Sequence, residues 1–226
     1  MDVLCNTMTD ISNLDHIYVI ISSIHEQQRI DAINNVLKNI PKDKYTFVEP
    51  YWKGHTDKQL YVDNIQFPVY HHLTEGAACI YLTYTKLMDT FLASEHNTVL
   101  VLESDVFAVE GWEEMLQTAL EEWKGIDGYR NSMIFLGNGC NLKPNVTHKH
   151  VTERLYETNQ TRCLDSWIWT KESVEKLRPL LLPITAPLDI FLNRLYNDTT
   201  EVKSYYLEPS IFIQGSQNGA YASNVQ

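Results

Sequence analysis

The stretch NTVLVLESDVF, residues 97–107, constrains the fold more than any other part of the chain. Val99, Leu100, Val101 and Leu102 are apolar in succession, so a strand made of them has no side to show to water. An unbroken run of this kind, rich in β-branched residues, reads as a central strand of a parallel sheet covered on both faces. It stops on two carboxylates, Glu103 and Asp105, that bracket Ser104. In open α/β sheets, ligands bind in the crevice beyond the carboxyl ends of the strands, so acidic side chains delivered there are placed to hold a metal ion.

The rest of the chain alternates strand and helix in keeping with that reading. HIYVIIS (16–22) reads as a first buried strand, and EQQRIDAINNVLKNI (26–40) as a helix with Ile30, Ile33, Val36, Leu37 and Ile40 at helical spacing, ending before Pro41. YTFVEPYW (45–52) is a second strand, GAACIYLTYTKLMDTFLAS (76–94) a long amphipathic helix, EGWEEMLQTALEEW (110–123) another helix, and SMIFLGN (132–138) a buried strand. In the last third, RCLDSWIWT reads as a strand, KESVEKLRPLL and APLDIFLNRLY as helices, and VKSYYLEPSIFIQGS as a terminal strand and loop. The alternation argues for a doubly wound α/β layer in one domain spanning 1–226, with the sheet-rich part up to about residue 137 binding a nucleotide and residues 138–216 suited to an acceptor. No GxGxxG or GxxxxGK[ST] motif occurs, which argues against dinucleotide oxidoreductases and P-loop enzymes.

Charge and cysteine usage narrow the function classes. A formal net charge of -11 argues against a protein whose affinity rests on neutralising nucleic-acid phosphates with its own Lys and Arg. A polyphosphate ligand would need a bridging cation. Cys5, Cys79, Cys140 and Cys163 are far apart without a CxxC pair, so buried free thiols are expected rather than a zinc knuckle or a disulfide framework. No stretch reaches the roughly 20 apolar residues of a membrane span and the N-terminus lacks a signal-peptide pattern, so the expectation is a cytoplasmic protein with no membrane span. The sequons at Asn145, Asn159 and Asn197 carry no weight without such a signal.

Glu103 and Asp105 lie two apart at a strand end, so their side chains leave one face if strand geometry persists. Hard oxygen ligands there suit Mn²⁺ or Mg²⁺, ions that keep positions open for water and substrate phosphates. The bland alternative is a pair of acids that cap the next helix or face solvent. The triplet resembles the acidic DxD signature of nucleotide-sugar transferases, with Glu in the first place. The whole stretch EGAACIYLTYTKLMDTFLASEHNTVLVLESDV resembles the central block of glycosyltransferase family 25, which includes lipopolysaccharide-type and procollagen galactosyltransferases. In that block a G-x-x-x-C helix precedes a strand ending in LEDDV. IYVIISSIHEQQRIDAINNVL, MIFLGNG, PITAPLDIFL and YYLEPSIFIQGS resemble four further blocks of the family in the same order, together covering most of residues 16–216.

The resemblance implies a GT-A type, Rossmann-like mixed sheet flanked by helices. It also implies an inverting glycosyltransferase that moves a sugar from a nucleotide-sugar donor, expected to be a UDP-sugar, to a carbohydrate acceptor with help from a divalent cation. Glu103 and Asp105 fall on its metal and diphosphate motif, and Asp189 on its later conserved Asp. Ser104 departs from a triplet that is usually all acidic. Inverting transfer needs a base for the acceptor hydroxyl. Asp189 is the candidate, with helix capping as its equal alternative, and Asp165 is held in reserve. The nucleotide is expected near Tyr18, Ile20 to Ser22 and the Ser104 motif, with Arg29 in reach of a phosphate unless it is simply a surface helix residue. Trp52, Trp167, Trp169, Tyr205 and Tyr206 could serve as stacking platforms, although such residues are more often core. HHL (71–73) and HKH (148–150) lack a matching ligand set, and no His follows His150 to complete a metal shell. Two other readings remain open: a sugar nucleotidyltransferase, disfavoured because VIISSIHEQQR has neither Gly nor Lys, and a catalytically inactive carbohydrate- or nucleotide-binding relic.

Overall fold

The computed structural model describes residues 11–66, 73–144, 148–198 and 201–222. Cys5, His71, His72 and Asn145 lie outside the described residues. In chain order the elements are β1 (His16–Ile20), α1 (Gln27–Val36), β2 (Tyr45–Val48), α2 (Lys58–Asn64), α3 (Glu75–Ala93), β3 (Thr98–Glu103), β4 (Val106–Ala108) and α4 (Trp112–Lys124). They continue with β5 (Ser132–Phe135), β6 (Lys149–His150), β7 (Leu155–Thr158), β8 (Ser166–Thr170), α5 (Lys171–Leu177), α6 (Leu188–Asp198), β9 (Lys203–Leu207) and β10 (Phe212–Gln214).

Among the described residues, eight strands form one sheet in the order β2-β1-β3-β8-β5-β9-β7-β6, and β4 and β10 make a separate antiparallel ribbon. β3 lies in the middle with every residue from Thr98 to Leu102 buried, as its composition requires. Side chains alternate between the two faces. Leu100 and Leu102 join Ile17, Val19, Ile134 and Ile168 against Ile33 and Val36 of α1 and Leu116, Leu120 and Trp123 of α4. Val99 and Val101 join Tyr18, Phe135, Trp167 and Trp169 against α3, α5 and α6. Each such fully buried aliphatic side chain contributes about 1.5–3 kcal/mol. Two apolar layers on one sheet thus account for the run without polar positions.

The sheet is mixed, with helices on both faces. β1, β2 and β3 are mutually parallel, but β8 enters antiparallel between β3 and β5, pairing Val99 with Trp169 and Leu102 with Ser166. The mixed sheet flanked by helices is as expected, and only the parallel setting read from the run in β3 is corrected: β3 has a parallel neighbour on one side only. The reversal matters for function, because it brings the start of β8 to the carboxyl end of β3, where the Glu103 amide donates to the Asp165 carbonyl at 2.8 Å. α1 is shorter than its periodicity suggests. It stops at Val36, and Leu37 and Ile40 are buried from a turn in which the Ile40 amide bonds the Leu37 carbonyl, as expected where the residue before Pro41 avoids helical geometry. Among the described residues no helix is long and apolar enough to cross a membrane.

Candidate functional site

At the carboxyl ends of β1 and β3, Ile20 pairs with Glu103, and the chain turns outward after each. Two clefts open there. The first is lined by Ile20, Glu26, Arg29, Tyr51, Trp52, Glu103, Ser104 and Asp105. The second is lined by Tyr84, Glu103, Cys163, Leu164, Pro187 and Asp189. Glu103, Ile80, Gln214 and Ser216 border both, so the clefts meet at the acidic motif.

The floor of the first cleft is a buried network. Arg29 Nη1 donates to Glu26 Oε1 at 2.6 Å and to Ser104 Oγ at 2.8 Å, and Ser104 Oγ donates to Glu26 Oε1 at 2.5 Å. Arg29 Nη2 donates to the Ala222 carbonyl at 2.8 Å, and the guanidinium lies 4.9 Å from the ring centroid of Tyr221, which itself stacks on Phe107. Arg29 is thus not a surface helix residue: it is 4% exposed, on the inward side of α1. Ser22 is buried beside this network but committed to the turn after β1, its hydroxyl donating to Glu49 Oε1 at 2.6 Å and its amide to Glu26 Oε2 at 2.8 Å. Tyr18 is a core residue.

Asp105 is buried at the foot of the ribbon. Its Oδ2 accepts from the Ser216 amide at 3.1 Å and its carbonyl from the Gly215 amide at 2.7 Å, while Oδ1 is buried with no hydrogen-bond partner among the described residues. Glu103 faces Tyr84 of α3, whose hydroxyl donates to Leu164 O at 2.7 Å and to Glu103 Oε1 at 2.9 Å. One hydroxyl proton serves two acceptors. Burial, and then the negative neighbours Asp105, Asp165 and Glu26, hold the Glu103 carboxyl well above the usual carboxylate range. Acids crowded in this way are short of positive charge.

Asp189 is the second residue of α6, inside its first turn rather than at its cap, and Oδ1 accepts from the Ile190 amide at 2.8 Å. Its wall of the second cleft is apolar, and burial raises its carboxyl above the ordinary value. Asp165 borders neither cleft. It is fully buried behind Gly137 and pushed up to about 8 by burial and by Asp105, with Oδ1 unpartnered among the described residues. Of the five aromatic platform candidates, Trp167, Trp169, Tyr205 and Tyr206 are core. Trp52 alone of them lines a cleft, with His25 stacked on it at 4.6 Å between centroids. His148 and His150 lie at the far edge of the sheet, against Tyr206 and Tyr156 respectively.

Among the described residues no group of three or more His, Cys, Asp or Glu side chains is arranged to hold a metal ion. The residues do not form a preformed cage. They could hold a cation only together with a ligand's own oxygens, as Mg²⁺-type ions are commonly held by one or two carboxylates plus substrate phosphates. The unpartnered Oδ1 of Asp105 and the crowded Glu103 are the donors suited to it. Glu26, Tyr84 and the segment 214–217 belong to the site but carry no local motif. Glu26, three residues before Arg29, is the one with a legible signal, as an acid and a base at helical spacing.

No protein-family model matches the chain, and no curated protein matches it significantly. Solved structures show distant likeness. A197 from STIV aligns with a TM-score of 0.47 at 16% identity over 88% of this chain and 83% of its own. A mannose-1-phosphate geranyltransferase from Thermus thermophilus gives 0.37 at 9% identity, over 86% of this chain and 73% of that one. A UDP-glucose pyrophosphorylase complexed with UDP-glucose gives 0.40 at 10%, over 85% and 73%. Likeness at this distance carries no activity from those proteins to this one.

Proposed function

We propose that the protein is a metal-dependent inverting glycosyltransferase of the family 25 kind, taking a sugar from a nucleoside diphosphate donor, a UDP-sugar by preference, to a carbohydrate acceptor. The observation that supports it best is the meeting of two clefts at Glu103, one floored by the Glu103-Ser104-Asp105 motif and the other walled by Asp189. A donor in the first cleft and an acceptor in the second would bring their reacting atoms together at that border. Trp52 offers the donor's base a flat face at the mouth of the first cleft.

Asp105 and Glu103 would hold Mn²⁺ or Mg²⁺, which would supply neutralisation of the negative charge on the leaving diphosphate. Asp189 accepts the proton of the attacking hydroxyl, a task for which a raised carboxyl is suited. Arg29 orients the motif through Ser104 and Glu26 instead of gripping a phosphate, because its guanidinium is already engaged.

Calorimetric titration with UDP and a panel of UDP-sugars, each with Mn²⁺ and with chelator, tests the reading. Manganese-dependent binding that is lost in Asp105→Asn, together with turnover lost in Asp189→Asn while donor binding persists, is the expected result. A second reading, a binding relic, draws support from the lack of a three-residue metal group among the described residues and from the Ser216 amide on Asp105 Oδ2. It predicts sugar or nucleotide binding indifferent to chelator.

A further inference from the structure

The cysteines divide in a way that composition does not foresee. Cys79 is buried in α3, but Cys140 is exposed and Cys163 half-buried, which corrects the expectation of buried thiols throughout. The Cys140 and Cys163 Sγ atoms lie 2.9 Å apart although 23 positions separate them in the chain. Both residues sit in left-handed backbone, Cys140 at φ 55° beside Asn141 at 50°, and Cys163 at φ 64° beside Leu164 at 73°. Non-glycine residues adopt this region uncommonly, and here it turns both side chains toward each other.

The surroundings hold the two loops together independently of the sulfurs. A Cβ on Gly139 would collide with the Arg162 carbonyl oxygen, so the backbones are in direct contact. Arg162 Nη1 donates to the Gly137 carbonyl at 3.2 Å. Gln217 brackets the pair: its Oε1 accepts from the Cys140 amide at 2.6 Å and its Nε2 donates to Cys163 Sγ at 3.2 Å.

We propose that Cys140 and Cys163 form a reversible disulfide site, closed by exchange with a low-molecular-weight disulfide such as oxidised glutathione. Cys140, the accessible thiol, loses its proton to water and attacks one sulfur of the oxidised glutathione, breaking that S–S bond and releasing one glutathione thiolate. Cys163 then gives up its proton and attacks Cys140 Sγ, releasing the second glutathione as its thiolate. Both thiolates take up protons. Two protein thiols are oxidised to one disulfide and one glutathione disulfide is reduced to two thiols. The order follows from access, and burial, which pushes the Cys163 thiol up, makes it the poorer first nucleophile. Cys163 and Gln217 border the second cleft, so the bond would pin that rim. The site itself stands whether or not the cleft takes a sugar acceptor.

The test is to equilibrate the full-length protein in buffers of graded reduced and oxidised glutathione, quench with acid, alkylate with N-ethylmaleimide, and map peptides by mass spectrometry. A Cys140–Cys163 linked peptide should replace both alkylated peptides as oxidised glutathione rises, and should vanish with dithiothreitol. In Cys163→Ser the glutathione adduct should instead accumulate on Cys140. Alkylation of both residues at every ratio, or pairing of Cys140 with another cysteine or a second molecule, overturns the proposal. Because the wild-type protein gives the primary answer, misfolding of a variant does not mask it.

Discussion

Ser104 Oγ donates to Glu26 Oε1 and accepts from Arg29 Nη1, so a side chain that both gives and takes hydrogen bonds is needed at this buried point. Ser104→Ala would leave a buried ion pair short of a partner and should cost about 1–3 kcal/mol by urea denaturation. Ser104→Asp, which would complete an acidic triplet, sets a second carboxylate against Glu26. It should be less stable than Ser104→Ala and bind Mn²⁺ no more tightly with UDP than the parent; a tighter, stable variant would refute this account of the serine. At Asp165 the folded carboxyl is raised to about 8 by burial and by Asp105, against about 3.9 when unfolded. Between those values the folded state binds more protons than the unfolded one, so stability falls as pH rises. The contribution is fully present below about pH 4 and lost as pH passes 8. Asp165→Asn, neutral throughout, should remove a decline on the order of a few kcal/mol from the pH 4 to 8 stability profile. A profile unchanged by the substitution would show that Asp165 does not carry it.

Elements with a strong period were legible. β1, β3, β5 and β8 are apolar runs, α3 and α4 have repeating buried faces, and all lie within a few residues of where the sequence places them. α2, β4, β6 and β7 were not foreseen, because none is a continuous buried run: α2 and β6 have no buried residue and β4 and β7 are buried only in part, and the pairing of the strands is set by contacts far along the chain. The antiparallel entry of β8 was hidden for the same reason. At the site, Glu103 and Asp105 could be found because a strand end is a local signal. Tyr84 and the 214–217 segment depend on how elements stack, which no local spacing records. The junction of elements also fixes Gly137. A Cβ there would collide with Asp165 Oδ2, at the point where β5 leaves the sheet beside the start of β8. Gly137→Ala should therefore cost about 1–3 kcal/mol, the range for overpacking a tight interior. Thermal melting of the variant checks this, and an unchanged transition would mean the β8 entry is more yielding than its packing implies.

Across the whole molecule, strand order decides how the chain can fold. β5 has only β8 and β9 as sheet neighbours, and β3 takes β8 on one side, so two strands of the earlier sequence are completed by strands of the later sequence. The stretches of chain before and after residue 137 are thus interleaved in one sheet rather than placed side by side. The motif is interleaved likewise: Asp105 is held by Gly215 and Ser216, and Glu103 by Tyr84 and the Asp165 carbonyl. A fragment ending at residue 137 would keep β1, β2 and β3 paired but leave β5 with no partner and one long edge of β3 open, an arrangement that invites aggregation. Residues 1–137 expressed alone should lack a cooperative urea transition and should not bind UDP with Mn²⁺. The full chain should unfold in one step, with tryptophan fluorescence and circular dichroism giving coincident curves. Trp167 and Trp169 lie on β8 and Trp123 on α4, so the fluorescence reports on both sides of the sheet. Two separated transitions, or a 1–137 fragment that folds and binds, would show that the part up to residue 137 is an autonomous unit and that β8 is an addition to it.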